Sequence, residues 1–187
     1  MTAAIQASNG YCMKPQTINL DHHEELCGTW YMQRRAPTLL SSPISFACKS
    51  LDITMGHHQN NINIKETNED FRTHKVQTIF ESIELEEGKG QGKVIVSRFL
   101  PDGDIRFVHL DADSMIMYSC RETKIVLGSQ IKSEGAYILT KERFPSEDTM
   151  NNLRRIFDEK MPHAYEAMKM RKVSHDSCVT EDEAETD

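Results

Sequence analysis

From Trp30 to Lys141 the chain runs in short segments whose side chains alternate apolar and polar, with turn residues between them, the two-residue period of half-buried β-strands. The pattern predicts strands at about 28–35 and 46–55, a third through Ile62 and Ile64, and others at about 71–80, 93–99, 105–111, 115–121 and 136–141. In the second, Ala47, Leu51, Ile53 and Met55 share one face while Cys48, Ser50 and Asp52 share the other. Residues 56–61, Gly88-Lys89-Gly90-Gln91-Gly92 and Pro101-Asp102-Gly103-Asp104 read as turns, proline presetting φ and glycine tolerating φ > 0. Eight strands of this kind, joined by short hairpins, can close into an all-β, antiparallel, up-and-down barrel wide enough for one small ligand. The same spacing also fits a β-sandwich.

After the last strand the period changes. Met150, Leu153, Phe157 and Met161 recur at helical spacing behind Pro145-Ser146, and Glu147 and Asp148 in the first turn suit the positive end of the helix dipole. The expectation is one C-terminal amphipathic α-helix packed on the outside of the barrel and stopped near Pro162, followed by an irregular arm over 164–178.

At 187 residues the chain suits one domain with a real core. We divide it into a flexible segment 1–11, a barrel domain 12–178 and an acidic tail 179–187, since Thr180 to Asp187 offers no large apolar residue to bury. A formal net charge of -7 without a cluster of Lys and Arg argues against nucleic acid as a partner. No stretch reaches the ~20 apolar residues of a membrane span. Met1 to Asn9 is short and polar and lacks the apolar run of a leader, which fits a cytosolic protein or the mature form of a secreted one. Cys12, Cys27, Cys48, Cys120 and Cys178 are widely spread with no C-x-x-C pair, a spacing that favours long-range disulfides and an oxidising compartment, with one thiol left over.

Gly28-Thr29-Trp30-Tyr31 stands where an N-terminal crossing segment becomes the first strand. A tryptophan there can plug the floor of a closed barrel, because its ring buries a large apolar area in one place, and the glycine lets the backbone pass close beneath. With Tyr118-Ser119-Cys120-Arg121, with Tyr137-Ile138-Leu139-Thr140-Lys141 followed by Pro145 and the helix, and with Asp176-Ser177-Cys178, the chain resembles the lipocalins, most of all the apolipoprotein D, bilin-binding and retinol-binding group. The resemblance spans roughly Cys12 to Cys178. It implies the eight-stranded lipocalin calyx with its outside helix, disulfides Cys12–Cys120 and Cys48–Cys178, Cys27 as the odd thiol, and structural roles for Gly28, Trp30 and Lys141. Two positions depart from the family's pattern. Lys141 stands where an arginine usually stacks over the buried tryptophan, and Leu110-Asp111-Ala112 replaces the usual Thr-Asp-Tyr.

Ligand cavities are mostly apolar with a few placed polar groups. The candidate lining is Leu39 and Leu40 on the loop over the mouth, then Leu51, Ile53, Ile64, Val96, Phe107, Met115, Met117 and Tyr137 on successive strands. A register slip of one residue inverts every one of these assignments. His109 is a candidate pocket hydrogen-bonder, whereas the adjacent pairs His22-His23 and His57-His58 read as solvated and no metal site is expected. The expected function is an extracellular carrier of one small hydrophobic molecule such as a bilin, retinoid, carotenoid or fatty acid. No cofactor is required, a bound chromophore is compatible, and a homo-oligomer with Cys27 as an intermolecular contact is a further expectation. The competing readings are a lipocalin-type enzyme acting on a lipid through Cys27, and an interaction protein whose cavity is filled by its own side chains. No Gly-x-Ser-x-Gly or phosphate-binding loop is present, and the expectation is a protein that is not an enzyme.

Overall fold

In Lys49–Met55 the side chains of Lys49, Leu51 and Ile53 are buried while their neighbours are not, and Asn61–Glu69 repeats the alternation in register, Leu51 opposite Glu66 and Ile53 opposite Ile64. Two strands with matched buried faces need further strands to cover them, and the computed structural model supplies these by wrapping one sheet on itself. It describes residues 8–9, 12–36, 47–58, 60–69, 76–95, 103–124, 130–176 and 178. The barrel strands are β1 (Gly28–Arg35), β2 (Lys49–Met55), β3 (Asn61–Glu69), β4 (Val76–Leu85), β5 (Gln91–Ile95), β6 (Gly103–Leu110), β7 (Ser114–Lys124) and β8 (Gln130–Thr140). Each pairs antiparallel with the next, and β8 pairs back onto β1. That last pairing decides for the barrel over the sandwich.

Several elements differ in extent from the sequence expectation. β4 runs on to Leu85, beyond the expected end at Phe80, and β8 begins at Gln130. Gly88–Lys89, expected as turn, pairs with Asn19–Leu20 of the N-terminal segment. In the returning arm, Ala164–Ala167 forms a short helical turn and Arg171–Lys172 pairs with Arg34 and Arg35. The arm takes that place because β2 pairs only with Gly28 to Tyr31, leaving the upper half of β1 uncovered on that side.

The helix α1 (Glu147–Lys160) is capped by Ser146, whose Oγ accepts the Thr149 amide at 3.1 Å. Its buried face, Leu153 and Phe157, packs on Val108, Ile116, Tyr118, Ala136 and Ile138, the outward side chains of β6, β7 and β8. Two disulfides tie distant parts of the chain to the barrel. Cys12–Cys120 holds the N-terminal segment to β7, and Cys48–Cys178 holds the arm beside the start of β2.

One end of the barrel is closed. Leu20, Leu26 and Trp30 are buried there, and Trp30 Nε1 donates to the Leu26 carbonyl at 2.8 Å. Gly28 adopts φ +111°, a conformation that disfavours any residue with a Cβ, and a Cβ on it would stand 2.7 Å from Lys141 Nζ and displace that ammonium.

Candidate functional site

Alternation along closed strands directs a single set of side chains into the barrel, and that set changes character with height. Above the floor lies an apolar layer. Leu51, Ile53, Ile64, Phe107, Met115 and Met117 belong to one buried cluster with Met32, Ile62, Ile83, Leu85, Val94, Ile105 and Leu139, and Tyr137 packs against it. Seven of the residues expected from sequence to line the cavity are thus brought together here. Leu39, Leu40 and Val96 lie outside the described residues. His109 is placed at the floor end, where Asp111 Oδ2 lies 3.0 Å from its Nε2 and Ser114 Oγ lies 3.3 Å from the same nitrogen, in the hairpin between β6 and β7.

The layer above is ionic, and sequence reasoning missed it. Two residues up from Leu51, on the same face, is Lys49, only 2% exposed; its Nζ lies 3.1 Å from Glu66 Oε1 and also donates to Asn68. Glu66 and Asn68 in turn follow Ile64 on the inner face of β3, and Glu81 follows Ile83 on β4. On β7 the inward sequence after Met117 is Ser119 and Arg121, and on β8 Tyr137 is followed toward the mouth by Gly135. Gly135 has to lack a side chain, since a Cβ would meet the Tyr137 hydroxyl at 2.6 Å and Ser119 Oγ at 2.9 Å.

Arg35 joins this layer through a bulge. The register of β1 against β8 shifts between Ile138 and Leu139, so Met32 faces Leu139 but Arg35, not Arg34, faces Tyr137. Arg35 is accordingly 6% exposed.

The groups in this layer act on one another. Burial pushes the Lys49 ammonium down to about 8, Glu66 opposing the change and Arg35 adding to it. Burial also raises the Glu81 carboxyl, helped by the charge of Glu66 and opposed by Arg121. Burial raises the Tyr137 phenol, with Arg35 and a hydrogen bond to Ser119 opposing, so that it is a neutral hydroxyl at physiological pH. The inner face of β4 stays open to water here, Ile79 being 46% exposed although it stands opposite Glu66. The signal was present in the sequence as charged residues two positions beyond apolar ones on inward faces, but a lone charge at a strand end ordinarily reads as the start of a solvated loop.

A concavity 290 Å3 in volume lies on the outer wall of β1 to β4 beneath the arm, lined by Tyr31, Ser50, Thr67, Glu69 and His175 among others. His175 Nε2–H donates to the Met32 carbonyl at 3.0 Å, and burial lowers its pKa. This groove is separated from the barrel interior by the sheet.

Cys27 stands at the floor, where burial and then Glu24 raise its thiol pKa against the opposing Lys141. That environment disfavours the thiolate a nucleophile requires.

No family model matches the sequence, and no curated protein matches it. Solved structures do match the fold. Insecticyanin from the tobacco hornworm Manduca sexta superposes with a TM-score of 0.67 and 13% identity, covering 92% of this chain and 94% of its own. The chain has the lipocalin fold. Other lipocalin barrels align in the same way. A biogenic amine-binding protein does so with a TM-score of 0.66 and 10% identity over 92% of each chain, and lobster apocrustacyanin A1 with 0.60 and 10% over 86% of this chain and 89% of its own. Among the described residues, no helix of this lipocalin barrel is long and apolar enough to cross a membrane.

Proposed function

We propose that this chain is an extracellular carrier that holds one small, mainly hydrophobic molecule inside its barrel and releases it unchanged. The observation that carries the reading is the apolar inner layer of Leu51, Ile53, Ile64, Phe107, Met115 and Met117, closed below by Trp30 and bordered above by polar groups around Tyr137. Apolar walls desolvate the body of a guest, and at ~25 cal/mol per Å2 the shielding of a few hundred Å2 supplies most of a micromolar affinity. Leu39, Leu40 and Val96 complete the lining in this proposal, with Tyr137 closing over the guest. A bilin, retinoid, carotenoid or fatty acid is the kind of guest that such apolar walls would desolvate, and the reading is supported by lobster apocrustacyanin and insecticyanin sharing this barrel fold. The two disulfides support an extracellular setting.

Native mass spectrometry of protein from its natural source, before and after denaturation, tests the reading by weighing what the barrel carries. A discrete mass lost on denaturation is the expected result. Repeated empty preparations that also fail to bind apolar probes would overturn it.

A further inference from the structure

We propose that opening the Cys48–Cys178 disulfide creates a four-coordinate zinc site beneath the arm, with Cys48 Sγ, Cys178 Sγ, His175 Nδ1 and a carboxylate oxygen of Glu69 as ligands. The surroundings of the disulfide carry the argument. Among the described residues, Cys48 Sγ, Cys178 Sγ and a Glu69 oxygen lie within 4.8 Å of one another, and His175 Nδ1 lies 4.0 Å from Cys178 Sγ. All four residues line the outer concavity described above, so a cation held by them has space. Thiolates, an imidazole and a carboxylate form a donor set that zinc accepts, and in a tetrahedral site their ligand atoms stand about 3.3–3.8 Å apart. Side-chain rotation covers the difference.

The imidazole is already oriented as a ligand. Its Nε2–H donates to the Met32 carbonyl at 3.0 Å, which leaves Nδ1 of the neutral ring with its lone pair on the side of Cys178. Metal-bound histidines ordinarily make such a second hydrogen bond, because it fixes the tautomer and the ring angle. Glu69 is buried and already interacts with its surroundings, as ligating carboxylates ordinarily do. The arm also has holds on the barrel besides the disulfide. The Cys48 amide donates to the Ser174 carbonyl at 2.8 Å, the Val173 amide donates to the Gln33 carbonyl at 3.1 Å, and Arg171–Lys172 pairs with β1. These bonds keep the four ligands together when the S–S bond opens.

A dithiol reductant supplies the two electrons and two protons that turn the disulfide into two thiols, and is itself oxidised to a disulfide. Zinc then displaces both thiol protons to solvent and takes over the tether between the arm and β2. Two thiolates and one carboxylate against Zn2+ leave the complex with one negative charge, and Arg143 lines the same concavity as a counter-charge. In the oxidised protein the two sulfurs are bonded to each other and the site is closed to metal. The sheet separates this concavity from the lumen, so the inference stands apart from the carrier reading.

Titration of the full chain with cobalt and with zinc tests this, in a Cys27→Ser background that removes the odd thiol. After reduction by a phosphine, the protein is expected to bind one equivalent of cobalt, with the visible bands of tetrahedral coordination and sulfur-to-cobalt charge transfer in the near ultraviolet. The oxidised protein is expected to show neither. Cys12→Ser with Cys120→Ser should keep the signal and Cys48→Ser with Cys178→Ser should abolish it, while His175→Gln and Glu69→Gln should each weaken zinc binding about tenfold or more. Thermal unfolding followed by circular dichroism separates a folded site from the thiols of an unfolded chain. Zinc is expected to raise the midpoint of the reduced protein, or to restore its fold where reduction has lost it, and to leave the oxidised midpoint unchanged. Cobalt bands that survive in Cys48→Ser with Cys178→Ser, or zinc that neither raises the reduced midpoint nor restores the fold, would overturn the proposal. Unchanged zinc affinity in His175→Gln or Glu69→Gln would do the same.

Discussion

The ammonium of Lys141 lies 3.7 Å from the centroid of the Trp30 ring and donates to the Cys27 carbonyl at 3.0 Å, so one side chain caps the barrel floor through both a cation–π contact and a hydrogen bond. The flexible stem of lysine performs the stacking that a planar guanidinium performs elsewhere. Lys141→Ala is expected to lower stability by about 1–2 kcal/mol, and Lys141→Arg to retain most of it. Chemical unfolding followed by fluorescence reads this directly, because Trp30 is the chain's single tryptophan.

Lys49 and Glu66 form an ion pair in the barrel interior, and such pairs are more harmful half-removed than wholly replaced. Lys49→Met alone is expected to cost about 3 kcal/mol, because Glu66 loses its counter-charge in a partly desolvated setting, and the double variant Lys49→Met with Glu66→Leu to recover most of that loss. A double-mutant cycle by urea unfolding measures the coupling.

The same lysine predicts a pH dependence. Its pKa is lowered from 10.5 to about 8 in the folded protein, so between those values the unfolded chain holds a proton that the folded chain has lost. The contribution of Lys49 to stability therefore rises with pH across that window and is flat below it. Urea unfolding of wild type and Lys49→Met across the window should show the difference between them moving in favour of wild type as pH rises. A constant difference would contradict it.

The loops closed by the disulfides span 108 and 130 residues. In the chain-entropy model each bridge contributes at most about 4–5 kcal/mol, so Cys12→Ser with Cys120→Ser, and Cys48→Ser with Cys178→Ser, should each lower the unfolding midpoint substantially. Alkylation of the native protein should modify Cys27 alone, and slowly, since its thiol pKa is raised. Rapid labelling at neutral pH would contradict that environment.

Ser146→Ala removes the oxygen that accepts the Thr149 amide and should cost about 1 kcal/mol. The loss should appear in global unfolding, because α1 buries Leu153 and Phe157 against the barrel wall and does not fray independently.

Much of this architecture was legible in the chain, because its signals are local. Alternation in Lys49–Met55 sets its buried face, Ser146 with Glu147 and Asp148 marks the start of α1, and Gly28 before Trp30 marks the floor. The inward placement of Leu51, Ile64, Phe107 and Met117 followed for the same reason, each standing on the buried phase of its own strand. What escaped was the meeting of charges. Lys49, Glu66, Glu81, Arg121 and Tyr137 lie on different strands, and only closure of β8 onto β1 brings them round one lumen.

Arg35 is the sharpest instance. Strict alternation from Trp30 and Met32 would turn Arg34 inward, and the bulge against Ile138 and Leu139 reverses the choice. The sequence by itself determined the strands, their apolar faces, the helix and the tryptophan floor, since each depends on the period and end signals of one short segment. The tertiary structure alone decided that the sheet closes and that Arg35, Lys49, Glu66, Glu81, Arg121 and Tyr137 meet inside it, because closure and register couple residues far apart in the chain through backbone hydrogen bonds that no local pattern encodes.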